Sequence, residues 1–254
     1  MLPSERQSDI VRRVEKTGYV RATDLQEAFG VSHMTIQRDL HDLDHRGLIR
    51  RVRGGAAALS TREIGYGSRE RINRQEKEAI GRAAAALVQN GQSVFVDAGT
   101  TALEVARHLA KRPFAKLNLV TTSVKISAEV AGLPNLRVKQ LGGDLYAQSF
   151  GVAGPDVAEA LGKLNLDWAF LGTAGVDLTA GLTNGNAYEI GVKRAAISSS
   201  HRTAFLADES KFGTKALVQI LGADEPHTLI TTATLSSQNA KHWETLGWEV
   251  IVAT

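Results

Sequence analysis

The 254-residue chain contains no cysteine, which excludes disulfides, thiolate nucleophiles and cysteine-ligated metal centres. It has no apolar run of 18 or more residues, so no helical membrane span is expected. Its start, Met1-Leu2-Pro3-Ser4-Glu5, lacks the apolar core of a signal peptide, and a cytoplasmic protein is the expectation. The seven histidines are scattered, and neither a metal-ligand pair nor a Ser/His/Asp set is visible. No catalytic residue, metal site or cofactor is therefore expected. Strong charge is lacking too, but the small excess is unevenly placed. Residues 1–74 hold 14 Lys+Arg against 10 Asp+Glu, whereas residues 75–254 hold 16 against 17. A local cationic footprint on the first part of the chain suits a nucleic-acid partner better than a generally adhesive surface does.

What is present there is a run of short amphipathic helix patterns with clear start and stop signals. In Val31-Ser32-His33-Met34-Thr35-Ile36-Gln37-Arg38, Ser32 is placed as an N-cap. Ile36, Leu40 and Leu43 follow at i, i+4, i+7 spacing and make one buried face. Met34, Arg38, His41 and His45 point the other way, with Thr35 and Gln37 on the flanks. Glu5 to Lys16, with Ile10, Val11 and Val14, predicts a first helix ended by Gly18. Thr23 is expected to cap a second, Asp24 to Phe29, with Leu25, Ala28 and Phe29 inward, and Gly30 to end it in the left-handed conformation. That is helix-turn-helix spacing. After Gly47, Leu48 to Arg53 predicts a strand, Gly54-Gly55 a turn, and Ala56–Leu59 a return, the wing of a winged helix. A plain three-helix bundle with a solvated basic face is the alternative, but cap, turn and wing coincide. The candidate DNA contacts are Ser32, Met34, Thr35, Gln37, Arg38, His41, Arg51 and Arg53. Arg pairs bidentately with guanine and Gln with adenine, while the wing cations suit phosphates.

The predicted organisation is a winged helix-turn-helix domain over 1–58, a linker over 59–74 containing Arg62, Arg69, Arg71 and Arg74, and an α/β domain over 75–254. In the last, strands near 93–96, 117–121, 136–141, 168–171, 203–206, 228–231 and 249–252 alternate with helices near 76–88, 100–109, 124–130, 152–164, 187–198 and 238–245. Such alternation means a mainly parallel sheet covered on both faces, with ligands at the carboxyl ends of its strands. The turns there are Asp97-Ala98-Gly99-Thr100-Thr101, Thr121-Thr122-Ser123, Leu141-Gly142-Gly143-Asp144 and Asp208-Glu209-Ser210-Lys211. Helix amides, hydroxyls and one lysine suit a phosphorylated sugar: dipoles and Lys for the phosphate, carboxylates for the hydroxyls.

These residues resemble the DeoR/GlpR family of bacterial transcription regulators. The family pattern V-S-x-x-T-I-R-R-D-L, then L-x-x-x-G and R-x-H-G-G-A, is met by Val31 to Leu40, by Leu43 and Gly47, and by Arg51 to Ala56. Gln37 stands where the family usually has Arg, and Arg53 where it usually has His. The second part is similar to that family's sugar-phosphate sensor domain, of a fold like ribose-5-phosphate isomerase. The motifs that carry this likeness also include Phe170 to Asp177 and Glu189 with Lys193-Arg194. The resemblance implies an effector site at Asp97, Gly99, Thr100, Thr101, Thr122, Ser123, Gly142, Gly143, Glu189 and Lys211, with Thr122 where many members have Asn. It also implies a repressor of carbohydrate catabolic genes, released from operator DNA by a phosphorylated sugar. A lone winged helix makes too few contacts for tight operator binding, so a homodimer or homotetramer is expected. The competing class is a sugar-phosphate isomerase. It needs a carboxylate base, for which Glu189 is the candidate, but no neighbouring acid in the sequence marks it.

Overall fold

The computed structural model describes residues 2–57, 65–232 and 237–254. The chain divides into two compact units, Met1–Ile72 and Asn73–Thr254.

The first unit runs α1 (Pro3–Thr17), β1 (Tyr19–Arg21), α2 (Ala22–Phe29), α3 (His33–His45), β2 (Arg50–Val52), β3 (Gly55–Ala57) and α4 (Tyr66–Arg71). Gly18 and Gly30, at φ 74° and 62°, end α1 and α2 in the left-handed region, where a side chain would be strained. Ile10, Val14, Leu25, Ile36, Leu40, Leu43, Ile49 and Ala56 form one core. The three strands make a small antiparallel sheet in the order β1-β3-β2.

Several local expectations change here. Thr23 is not a cap: β1 delivers the chain to Ala22, whose amide bonds Gly54 O at 2.9 Å, and α2 starts there. Its inward face is Ala22, Leu25 and Phe29, and Ala28 falls outside it, exposed. The wing turns at Arg53-Gly54, because Gly55 pairs with Val52 as the first residue of β3. A Cβ on Gly55 would lie 2.0 Å from Val20 O, so β1, a three-residue strand too short to show a period, is what demands glycine there. The end of the expected return, residues 58–59, and Arg62 lie outside the described residues. Within the stretch read as a linker, residues 66–71 form α4, and the Ser68 hydroxyl donates to Arg46 O at 2.7 Å. Six residues carry too little periodicity to reveal such a helix.

The second unit runs α5 (Arg74–Ala86), β4 (Ser93–Val96), α6 (Thr100–Ala110), β5 (Leu117–Thr121), α7 (Val124–Val130), β6 (Leu136–Gln140), β7 (Asp144–Tyr146), β8 (Gly151–Ala153), α8 (Pro155–Gly162), β9 (Leu166–Gly172), β10 (Gly175–Asp177), β11 (Gly181–Asn184), α9 (Tyr188–Ser198), β12 (Ser200–Leu206), a 3-10 turn (Glu209–Lys211), β13 (Val218–Leu221), β14 (Thr228–Thr232), α10 (Ser237–Thr245) and β15 (Glu249–Ala253). The segment 152–164 is not helical from its start: β8 occupies 151–153, and Pro155 opens α8 at its first turn.

The main sheet has seven strands, all parallel, in the order β15-β14-β12-β9-β4-β5-β6. Its central strands are apolar on consecutive residues (Val94-Phe95-Val96, Ala169-Phe170-Leu171) and buried throughout, as strands covered on both faces must be. Phe95, Ala169, Leu171, Phe205 and Leu229 share a core with α8, α9 and the Trp243/Trp248 pair. Helices α5 and α6 approach so closely that a Cβ on Gly81 would fall 2.6 Å from the Glu104 backbone. From β4 the chain proceeds outward through β5 and β6, and from β9 it proceeds the other way through β12, β14 and β15. The order therefore reverses between β4 and β9, the place where sheets of this kind open a crevice at their carboxyl ends.

Candidate nucleic-acid interface and anion site

Helix α3 begins at Ser32, whose Oγ accepts from Thr35 N at 3.2 Å and lies 2.9 Å from Thr35 Oγ1. Ile36, Leu40 and Leu43 are buried, while Met34, Arg38, His41 and His45 are exposed, with Thr35 and Gln37 between. This is the expected two-faced helix. The exposed Arg51 lies on β2, whose backbone is tied to α3 by Arg51 N donating to Asp44 Oδ1 at 2.9 Å. Arg53, at the hairpin turn, is exposed as well. All eight expected DNA-contact residues thus belong to α3, its cap or the hairpin beside it.

What the residue pattern did not reveal is the support beneath the helix. Asp39 is buried, and its carboxylate receives Arg6 Nε at 2.6 Å and Gln7 Nε2 at 3.1 Å. Arg6 is buried too, and Gln7 Oε1 in turn accepts from Arg46 at 2.9 Å. A signal existed: Arg6, Ile10 and Val14 are spaced i, i+4, i+8 on α1, and Asp39 falls three residues after Ile36. Two opposite charges on facing apolar stripes have to meet, because neither is buried alone at tolerable cost.

In the second unit, β4 ends just before Asp97 and β9 ends at Gly172, on either side of the reversal. Asp97 Oδ2 accepts from Gly172 N at 3.0 Å and from Lys193 Nζ. Lys193 Nζ also donates to Gly172 O at 2.8 Å. Lys193 and Asp97 are only 2% and 4% exposed. Burial pushes the Asp97 carboxyl up from its ordinary value against the pull of Lys193, and the nearby Glu189 pushes in the same direction as burial. Glu189, one helical turn before Lys193, is itself held by Asn184 Nδ2 at 2.8 Å and Asn186 Nδ2 at 3.3 Å. The strand-end turns pointed to Lys211 as a cation for the site; the fold adds Lys193, bound to Asp97. The spacing of Glu189 and Lys193 on one helix face was the available signal.

Helix α6 starts beside Asp97, and no side chain caps its N-terminus at Gly99. Its first amides have no intrahelical partner, the condition for holding an anion. A Cβ on Gly99 or Gly142 would meet nothing within 4 Å, so there is open space at both. Thr100 is buried and Thr101 half-buried. The β7–β8 hairpin closes over the neighbouring strand end: Val152 N bonds Thr122 O at 2.9 Å and Val124 N bonds Phe150 O at 2.9 Å. Gly151 presses against the Asp97–Thr100 turn, where its Cβ would fall 2.3 Å from Ala98 Cβ. Two expected contact residues have other work. Ser123 Oγ caps α7 through Ile126 N at 3.2 Å. Gly143, at φ 155°, makes room for Val157, whose Cγ2 would be 2.5 Å from a Cβ. Lys211 lies at the end of β12, one strand beyond β9. Burial raises the Asp208 carboxyl there, but Lys211, the Ser210 hydroxyl, Lys77 and Asn73 outweigh it and hold that carboxyl below the ordinary range. Asp177 is taken up by its own turn, accepting from Thr179 N and Ala180 N, both at 2.8 Å. An aromatic pair not anticipated is Tyr146 stacked on Tyr188, with ring centres 5.4 Å apart; burial raises the Tyr146 phenol, and Tyr188, Asp144 and Glu189 push the same way. Among the described residues no cluster of His, Cys, Asp and Glu is arranged to hold a metal ion, and no helix is long and apolar enough to cross a membrane.

Residues 72–233 match the family model of the DeoR C terminal sensor domain, and residues 6–62 that of the DeoR-like helix-turn-helix domain. Similar proteins include the HTH-type transcriptional regulator GlpR of Haloferax volcanii, 35% identical over 99% of this chain and 98% of its own length. The HTH-type transcriptional regulator GolR of Listeria innocua is 31% identical over the whole of both chains. The glycerol-3-phosphate regulon repressor of Escherichia coli is 33% identical over 87% of each. Among solved structures, ribose 5-phosphate isomerase A from Methanocaldococcus jannaschii is similar over 55% of each chain, at 20% identity and a TM-score of 0.40.

Proposed function

The chain belongs to the DeoR family of transcriptional regulators, and from that premise we propose that it is a cytoplasmic repressor of carbohydrate catabolic genes whose hold on operator DNA is released by a phosphorylated sugar or a related phosphorylated metabolite. In this reading α3 lies in the major groove, with Arg38 and Gln37 on base edges, while Arg53 and the helix start at Ser32 and Thr35 face phosphates. The effector's phosphate sits on the free amides of α6 at Gly99, Thr100 and Thr101, with Thr122 and Gly142 close by, and Lys211 adds charge from the neighbouring strand end. Glu189 and the Asp97–Lys193 pair face the sugar hydroxyls, since a carboxylate beside a dianion is repulsive. The protein works by binding, not turnover, and as a homodimer or homotetramer that presents two or more reading helices to repeated half-sites.

The observation that carries the effector reading is the uncapped start of α6 beside open space at the sheet's point of reversal. Titration calorimetry on the full chain tests it, with a panel of three- to six-carbon sugar phosphates and glycerol 3-phosphate, each beside its dephosphorylated form. Glycerol 3-phosphate joins the panel because the Escherichia coli relative bears its name. Binding of one phosphorylated compound, with at least tenfold loss on removing its phosphate, is expected. Equal affinity for the dephosphorylated form would overturn the phosphate assignment. Light scattering at micromolar concentration, with and without DNA, should show a dimer or larger, and a monomer in both would refute the assembly.

A further inference from the structure

Wing cations are ordinarily read as phosphate contacts, whose loss weakens binding to every sequence alike. The side chain of Arg51 is engaged differently. Its Nη2 donates to Gln37 Oε1 at 3.0 Å, its Nη1 lies 3.4 Å from His41 Nδ1, and its backbone N donates to Asp44 Oδ1 at 2.9 Å. Positions 37, 41 and 44 are spaced i, i+4, i+7, so one arginine on β2 spans a single stripe of α3 from the base-reading end to the last turn. Its neighbour Arg38 is exposed and has no such partner among the described residues.

A guanidinium only donates. The atom of Gln37 that faces Arg51 must therefore be the carbonyl oxygen. This constraint has a consequence for reading. A free carboxamide can flip and show a base either its oxygen or its nitrogen. One whose oxygen is turned to Arg51 shows its two N–H donors. In the major groove adenine, guanine and thymine present acceptors, whereas the cytosine edge presents a donor.

We propose that Arg51 is a positioning residue for Gln37: it fixes the carboxamide as a donor, so that cytosine is rejected at the base facing Gln37. This rests on the reading of α3 as the groove helix, and goes beyond it by giving a wing arginine a part in sequence choice. Arg51 is exposed, so its substitution leaves the fold intact.

The test is selection of duplexes from a random-sequence pool by the full-length protein, comparing wild type with Gln37→Ala, Arg38→Ala, Arg51→Ala and Arg51→Lys. The position read by Gln37 is the one whose preference Gln37→Ala erases. At that position wild type is expected to exclude cytosine, and Arg51→Ala to readmit it, with discrimination falling about tenfold. Preferences at the other positions, including the one that Arg38→Ala erases, stay as they were. Arg51→Lys, which keeps one donor for the carbonyl, restores part of the discrimination. If Arg51→Ala lowers affinity for all sequences by one factor and leaves cytosine excluded, the arginine is a phosphate contact and the proposal is overturned. If Gln37→Ala and Arg38→Ala erase no preference at all, it is the groove assignment of α3 that fails, and the two failures are distinguishable.

Discussion

Replacing Lys193 by Met keeps the length of the side chain and removes its charge. The variant leaves the Asp97 carboxylate buried, facing Gly172 N at 3.0 Å and the charge of Glu189. Both partners of the pair are at least 94% buried by side chain, so water cannot substitute for the ammonium. Removing one member of a buried pair costs about 3–5 kcal/mol, and that loss is expected at neutral pH. The pH dependence has a definite sign. Burial already holds Asp97 above its ordinary value of 3.8. Its contribution to stability is therefore fully present below that value and is lost as pH rises through the raised one. Without Lys193 the carboxyl climbs further, at about 1.4 kcal/mol for each unit. The gap between variant and wild type should thus be smallest in acid and widen toward neutrality. Urea unfolding followed by tryptophan fluorescence measures this cleanly, because Trp168, Trp243 and Trp248, all three tryptophans of the chain, lie in the second unit. The double variant Lys193→Met/Asp97→Asn should recover most of the loss. A single variant that loses under about 1 kcal/mol at every pH, or a double variant whose loss equals the two single losses added, would refute the account of the pair as mutual shielding.

Three further outcomes are expected. Ser32→Ala should cost about 1 kcal/mol through the lost cap of α3, visible as faster hydrogen exchange in the first turn of that helix and unchanged exchange in α1. Asp39→Asn strips the buried Arg6 of its counter-charge and should destabilise the first unit by about 3 kcal/mol; operator affinity measured by fluorescence anisotropy should fall while base preference is retained, since Asp39 lies on the inner face. Gly55→Ala drives a methyl group to 2.0 Å from Val20 O and should cost more than the 1–3 kcal/mol typical of overpacking, lowering affinity for operator and random DNA together; an unchanged affinity would mean that the wing does not touch DNA.

How much of this could be read from the sequence follows element length. Helix α3 was legible residue by residue, because thirteen residues carry more than three turns of period and Ser32 marks the start. The strands of the main sheet were legible as apolar runs, since burial on both faces leaves no polar alternation to blur them. Strands β1, β7, β8, β10, β11 and β13, of three or four residues, were not, and with β1 went the reason for Gly55. Of the site, the turn at Asp97 to Thr101 was legible because strand end, glycine and hydroxyls are contiguous. Lys193 was overlooked as the partner of Asp97 because 96 residues separate them, and only the strand order brings Lys193 of α9 to the end of β4. The capping role of Ser123 was hidden for a different reason: a hydroxyl after a strand suits a ligand contact and a helix cap equally, and only the position of Ile126 N reveals the cap.

The reversal of strand order between β4 and β9 also bears on how the chain acquires its form during synthesis. Strand β4 pairs with β5 on one side, but on the other it waits for β9, from Leu166 onward, and Asp97 waits for Lys193. The sensor sheet is therefore built on pairings of long sequence separation, which form late and slowly. The first unit closes its core and its three short strands within residues 1–72. On the ribosome the DNA-reading unit is complete while the centre of the sensor sheet still lacks a neighbour. A chain that stopped before Leu166 would hold a finished first unit and an unfinished sheet, so under the proposed function the response to a metabolite is the last property the nascent protein gains.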